Sequence, residues 1–223
     1  MLIIFDLDDT LIDTSGSITP IQLESALRRM IEEGLPVTSG GGASDMLKRL
    51  DRGADSAKSA LSEFLEILDV EEKFYPMALE EVYGPIPADL PIFAHENALE
   101  VLQELSQHHT LALVTIGKTQ QQKYKMEKAG IDSTLFSKIV ITEVRDKKPH
   151  YESLLEEFGM TPAETIVCGD RIAIDLVPAK ELGLKTIHVR QGRGKKAPQH
   201  LEREVDFTVT ELKQIEEIIK QLC

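Results

Sequence analysis

The chain has 223 residues, enough for one large domain or for a core domain carrying a smaller insertion. A net charge of −13 argues against nucleic acid as a partner, because a phosphate backbone calls for a basic surface. With 42% hydrophobic and 28% charged residues it reads as globular, and its strand-length apolar runs leave no membrane span to expect.

The apolar start ends in aspartates and lacks the basic stretch and cleavage site of a signal peptide. Cys168 and Cys223 form no disulfide framework, so a reducing cytoplasm is expected. Cys168 lies in an apolar strand pattern and reads as a small core residue, and Cys223 as a frayed terminal thiol.

Leu2, Ile3, Ile4 and Phe5 predict a strand buried on both faces. Asp6, Asp8 and Asp9 follow directly, three carboxylates where desolvating like charges is costly. Strand alternation puts Asp6 and Asp8 on one side and Asp9 on the other. Two carboxylates held so close call for a cation, a shared proton or a catalytic use; the bland alternative is a solvated turn in which Asp caps the next helix.

Residues 15–90 carry helical signals and no comparable strand. Thr19 and Pro20 read as an N-cap and first helical residue, with Leu23, Leu27, Met30 and Ile31 on one face. Leu61, Phe64, Leu65 and Leu68 form a second such face. The GGG at 40–42 reads as a flexible connection, since the GxxxxGK[ST] phosphate loop is absent. Pro85, Pro87 and Pro91 mark the return to the main domain.

From about residue 98 helices and strands alternate. Ala98, Val101, Leu102 and Leu105 have helical spacing, followed by the strand LALVT at 111–115 and a helix over 118–129 closed by Gly130. KIVIT (138–142), TIVCGD (165–170), TIHVR (186–190) and DFTVT (206–210) read as further strands. Helices near 151–158 and through Ala179 and Leu182 stop at Gly159 and Gly183, and an amphipathic helix bearing Ile215, Ile218 and Ile219 ends the chain. Such β-α repetition predicts a parallel sheet with helices on both faces. The basic run RQGRGKK at 190–196 reads as a solvated loop because of its glycines.

Ligands bind beyond the C-terminal ends of parallel strands. There this sequence delivers Asp6 and Asp8; Thr115 with Ile116 and Gly117; Asp146, Lys147, Lys148 and Pro149; and Gly169, Asp170 and Asp175. Asp6-Leu7-Asp8-Asp9-Thr10 fits the pattern DxDx[TV], Lys148 stands before Pro149, and Gly169 to Asp175 fits GDxxxxD. In this order the motifs resemble those of the haloacid dehalogenase superfamily, whose members are mostly phosphatases. The resemblance covers the whole chain. It implies a Rossmann-like α/β core at 1–14 and 91–223, with an all-helical cap domain at 15–90 that selects the substrate.

The roles it implies are Asp6 as nucleophile and Mg²⁺ ligand, Asp8 as acid/base with its backbone carbonyl on the metal, Asp170 as a further ligand, and Asp175 as a metal-site residue that orients the ion directly or through water. Thr115, Gly117 and Lys148 would hold the transferring phosphoryl group. Lys147 is read as the bland neighbour of Lys148, although sequence alone leaves an exchange of the two open. Many relatives have Asn where this chain has Ile116, which removes a polar group near the phosphate. Arg171 is open between a salt bridge and a substrate contact, and Asp146 reads as a local cap.

The chemistry explains these residue types independently. A carboxylate attacking a phosphate dianion meets repulsion of about 4 kcal/mol per charge pair at about 4 Å and an effective dielectric of about 20. A hard divalent cation offsets it. The reaction expected is hydrolysis of a small phosphorylated metabolite through an aspartyl-phosphate. A sugar phosphomutase, a hydrolytic dehalogenase and a binding protein without turnover are the alternatives; the dehalogenase relatives lack a carboxylate at the position of Asp8. Substrate and oligomeric state stay open.

Overall fold

A computed structural model describes residues 1–37, 42–197 and 205–222. The chain folds into two compact units, Met1–Thr14 with Pro91–Cys223, and Ser15–Leu90. Two glycines of the GGG run and the terminal Cys223 lie outside the described residues.

The larger unit is built on one six-stranded sheet of β1 (Leu2–Phe5), β2 (Thr110–Ile116), β3 (Lys138–Thr142), β4 (Thr165–Gly169), β5 (Lys185–Val189) and β6 (Phe207–Val209). The strands are parallel throughout, in the order β3-β2-β1-β4-β5-β6. All four residues of β1 are fully buried, as an apolar run without alternation requires. Each such aliphatic or aromatic side chain removes apolar surface worth about 1.5–3 kcal/mol. Leu2 and Ile4 share a core with Ala112, Val114 and Val167 from neighbouring strands and with Tyr151 and Leu154.

The crossover helices are α5 (Ala98–Ser106), α6 (Thr119–Lys128), α7 (Lys148–Phe158), α8 (Val177–Glu181) and α9 (Lys213–Leu222), numbered after α1 to α4 of the smaller unit. α7 ends where Gly159 takes the left-handed φ of 60°, a backbone that costs glycine little. On α9, Ile215 and Ile219 are buried, the apolar stripe expected of that amphipathic segment. Lys195 and Lys196 of the basic run are exposed, in keeping with its reading as a solvated segment, but the run has local structure. Gly192–Lys196 winds into a 3-10 turn with Gly194 buried, and Arg190 Nη2 donates to the Lys195 carbonyl at 3.0 Å.

The smaller unit holds α1 (Thr19–Glu32), α2 (Gly42–Gly53), α3 (Ala57–Leu68) and α4 (Phe74–Val82). Leu23, Leu27 and Met30 of α1 pack with Leu61 and Phe64 of α3 and with Phe74 and Ala78 of α4 in a core of its own. Thr19 is the first residue of α1 rather than its cap, since Ile18 already has helical dihedrals. No helix among the described residues is long and apolar enough to cross a membrane.

Strand order reverses between β1 and β4, leaving a crevice beyond their C-terminal ends with β2 on its other flank. The polar residues that follow these three strands are therefore neighbours.

Candidate active site

β1 stops at Phe5, but Asp6 N still donates to the Cys168 carbonyl at 2.9 Å, carrying the pairing one residue further. The chain then turns: the amides of Leu11 and Ile12 both donate to the Leu7 carbonyl, at 2.9 and 3.0 Å. This turn, not strand alternation, aims Asp8, whose carboxylate faces α6 while that of Asp6 faces β4 and the start of α7. Asp9 sits apart with φ of 60°, its side chain toward the amide of Arg193. Thr10 ties two strand ends together, donating to Asp6 Oδ2 at 3.4 Å and accepting from the Asp170 amide at 3.0 Å.

The lysine at this site is Lys147, not Lys148. Lys147 Nζ lies 2.6 Å from Asp6 Oδ1, 2.7 Å from Asp175 Oδ1 and 2.8 Å from the Val114 carbonyl. Those three bonds use every proton of the ammonium. Lys148 is the first residue of α7 and points outward to Glu181 Oε2 at 2.8 Å, both partners being exposed. The cause is local: Asp146 Oδ1 accepts from the Lys148 amide at 3.0 Å, so α7 begins there and Lys147 is left on the preceding turn, facing the sheet. Adjacent helix-start residues point in different directions, and two lysines side by side in the sequence do not show which one turns inward.

Asp170 follows β4 and is 1% exposed. His188 on β5 lies behind it, with Nε2 3.0 Å from the Asp170 carbonyl. Asp175 lies in the turn Ile172–Leu176, also 1% exposed, and its Oδ2 accepts from the Arg171 amide at 3.0 Å. The Tyr151 hydroxyl donates to the Asp175 carbonyl at 3.1 Å.

Asp6, Asp170 and Asp175 thus offer oxygens that all lie within 4.8 Å of one another. Burial pushes the Asp6 carboxyl up to about 7 against the pull of Lys147, and Asp175 and Asp8 add to the rise. Burial, then Asp175 and Asp6, raise Asp170 well above the carboxylate range. Burial works against the Lys147 ammonium, but Asp175 and Asp6 outweigh it and hold the lysine above its ordinary value. One lysine does not balance three buried carboxylates. Both Asp170 oxygens are buried with no hydrogen-bond partner among the described residues, although buried carboxylates ordinarily find one. A hard divalent cation, which takes carboxylate oxygens, fits this donor set and its excess charge.

Asp8 has a different environment. Its Oδ1 accepts from Lys125 Nζ at 2.7 Å and from the Thr14 hydroxyl, and its Oδ2 from Gln122 Nε2 at 2.8 Å. Burial opposes its ionisation, but the Lys125 ammonium with the Lys125, Thr14 and Gln122 hydrogen bonds outweighs it and holds the carboxyl below the ordinary range. Thr115, fully buried at the end of β2, accepts from Gln122 Nε2 at 2.6 Å. Gly117 follows, its amide donating to the Thr142 carbonyl at 2.8 Å. Gln122 and Lys125 went unread in the sequence because α6, TQQQKYKMEK, looks like a solvated face; their spacing of three was the available signal.

The site therefore has a buried carboxylate beside a lysine, an acidic group suited to a cation, and a second carboxylate held by Lys125, Gln122 and Thr14. The model of the family described as haloacid dehalogenase-like hydrolase matches residues 3–189. A glyceraldehyde 3-phosphate phosphatase of Methanocaldococcus jannaschii is 28% identical, over 99% of this chain and 97% of its own. That of Pyrococcus furiosus is 26% identical over 99% and 93%. A solved structure described as a predicted phosphoglycolate phosphatase from Haemophilus somnus superposes with a TM-score of 0.73 at 21% identity, covering 98% of this chain and 97% of that one.

Proposed function

This chain belongs to the haloacid dehalogenase-like hydrolases and is a phosphatase, and we propose that it cleaves a small phosphorylated metabolite through an aspartyl-phosphate on Asp6. The observation that carries this reading is the buried set of Asp6, Asp170, Asp175 and Lys147 beyond the C-terminal ends of the central strands.

Asp6, Asp170 and Asp175, with the backbone carbonyl of Asp8, would hold magnesium, which when bound offsets the repulsion between Asp6 and a phosphate dianion. Lys147 holds Asp6 in place and offers positive charge to the phosphoryl oxygens, and Thr115 offers them a hydroxyl. Asp6 attacks phosphorus while Asp8, in its protonated form, gives its proton to the departing alkoxide. The Asp8 carboxylate so formed is the species that Lys125, Gln122 and Thr14 stabilise. It then takes a proton from water as that water attacks the aspartyl-phosphate, which releases phosphate and restores both aspartates.

The relatives named for glyceraldehyde 3-phosphate support a three-carbon phosphate as substrate. We assign its selection to a cap role for the helical unit Ser15–Leu90 and place the protein in the cytoplasm, where such metabolites are made. The test is phosphate release from glyceraldehyde 3-phosphate, glycerol phosphates, phosphoglycolate, sugar phosphates and nucleotides, with and without Mg²⁺. Release confined to small phosphates and dependent on Mg²⁺ supports the reading. Isomerised sugar phosphate without free phosphate would overturn it.

A further inference from the structure

We propose that Gln122 and Lys125 of α6 are positioning residues that together aim the acid/base carboxylate of Asp8 and the phosphoryl-binding hydroxyl of Thr115. The inference rests on the phosphatase reading and deepens it.

Gln122 is 1% exposed on a helix whose other residues are mostly polar and solvated. Burying a primary amide is costly unless its protons are used. Here they are: Nε2 lies 2.8 Å from Asp8 Oδ2 and 2.6 Å from Thr115 Oγ1. In the ionised form that the Lys125 ammonium favours, the carboxylate only accepts, so the nitrogen end of the amide faces Asp8. Its second proton then goes to Thr115 Oγ1, which becomes the acceptor in that contact. The Thr115 hydroxyl proton is therefore directed away from Gln122 and left for another acceptor, the role a phosphoryl oxygen would fill. One amide sets the geometry of both groups.

Lys125 lies one helical turn further on the same face, with Nζ 2.7 Å from Asp8 Oδ1 and its side chain 12% exposed. Asp8 is thus held at both oxygens, although its side chain keeps 28% of its surface open to solvent. Space for the arrangement comes from Gly117, where a Cβ would stand 2.9 Å from Gln122 Cδ. A salt bridge serving only to fasten α6 to the turn after β1 would explain Lys125. It would not explain the second proton of Gln122, which goes to a residue on β2.

A positioned acid matters most for a poor leaving group. The experiment is rapid-quench measurement of alcohol release in a single turnover, with glycerol phosphate and with p-nitrophenyl phosphate, at saturating Mg²⁺. The proteins are wild type, Gln122→Leu, Gln122→Glu, Lys125→Met and Lys125→Arg. Gln122→Leu and Lys125→Met should slow glycerol release by about 10²-fold and nitrophenol release by less than about tenfold. The ratio of the two rates therefore moves by about tenfold or more, and Lys125→Arg restores most of it. Gln122→Glu, nearly isosteric, sets a carboxylate against Asp8 and should behave like the leucine variant, which separates a packing defect from a lost donor. Equal slowing of both esters, or a ratio unmoved while wild type turns over, would overturn this proposal alone. Wild-type protein that releases neither alcohol would overturn the phosphatase reading, and this proposal with it.

Discussion

Lys147 Nζ lies 2.6 Å from Asp6 Oδ1, and the pair is nearly dry, with side chains 1% and 10% exposed. Removing one partner of such a pair leaves an uncompensated buried charge, at a cost of about 3–5 kcal/mol. Lys147→Met should therefore lower stability measurably in urea and reduce kcat/KM by about 10²-fold or more, since the phosphoryl group also loses its cation. Lys148→Met loses only an exposed, solvent-screened pair with Glu181 and should retain activity within about twofold. An inactive Lys148 variant beside an active Lys147 variant would reverse the assignment.

Asp170 has two buried oxygens without partners among the described residues, so a divalent cation should bind there and stabilise the fold. Saturating Mg²⁺ is expected to raise Tm, and Asp170→Asn to weaken its half-saturation by about tenfold or more. Excess chelator should abolish activity. Ca²⁺, which takes more ligands and can draw both Asp6 oxygens onto itself, should inhibit. Undiminished turnover in chelator would sink the metal assignment.

Where the chain's chemistry follows a strand, the sequence was legible. Leu2 to Phe5 and Ile166 to Cys168 are apolar without alternation, as a buried parallel strand requires, and the carboxylates that end them stand out against those runs. Legibility failed where orientation is decided by packing. Lys147 and Lys148 differ only in which side of a helix start they occupy, and Asp146 decides that through one hydrogen bond. Asp8 is aimed by the turn around Leu7, not by β-pleating, so strand alternation does not account for where its carboxylate points. Gln122 is buried on a helix with little apolar character, where no apolar periodicity marks it and only its spacing of three from Lys125 hinted at a shared face. In the helical unit, α1 and α3 were visible from their apolar faces. α2 and α4 were not, because GASDMLKRLDRG places few apolar residues and FYPMALEEV is short, with Pro76 in its first turn.

Away from the site, Asp206 fastens the segment before β6 to β5. Its Oδ2 accepts from the Thr186 amide and hydroxyl, both at 2.9 Å, and its Oδ1 pairs with Lys180. Burial opposes its ionisation, but the hydrogen bonds from Lys180 and Thr186 outweigh it and hold the carboxyl below its ordinary value. A carboxyl depressed in the native state stabilises the fold above its unfolded pKa and loses that contribution as pH falls through the native one. Asp206→Asn should accordingly cost about 1 kcal/mol near neutral pH, a modest figure because solvent screens an exposed carboxyl. The difference in urea midpoint should shrink as the pH drops below about 4. A gap that persists unchanged in acid would mean that Asp206 acts by shape and not by charge.

The two aspartates of the first turn should separate cleanly in a trapping experiment. Asp6→Asn keeps the shape of the side chain and its place beside Lys147 but removes the nucleophile, so no phospho-enzyme should form with any substrate. Asp8→Asn keeps that nucleophile and loses the proton donor, together with the base that later activates water. An amide there can still accept from Lys125, so the local structure should persist. With p-nitrophenyl phosphate, whose leaving group hardly needs a proton, the Asp8 variant should be phosphorylated and then stall. Its steady-state rate should fall by about 10²–10⁴-fold while nitrophenol still appears as a burst of about one equivalent. Acid quenching after mixing with labelled phosphate ester should leave label on the Asp8 variant and none on the Asp6 variant. The opposite distribution would exchange the nucleophile and the acid/base. Label on neither, with wild type turning over normally, would mean that water attacks phosphorus directly and that Asp6 serves the metal alone.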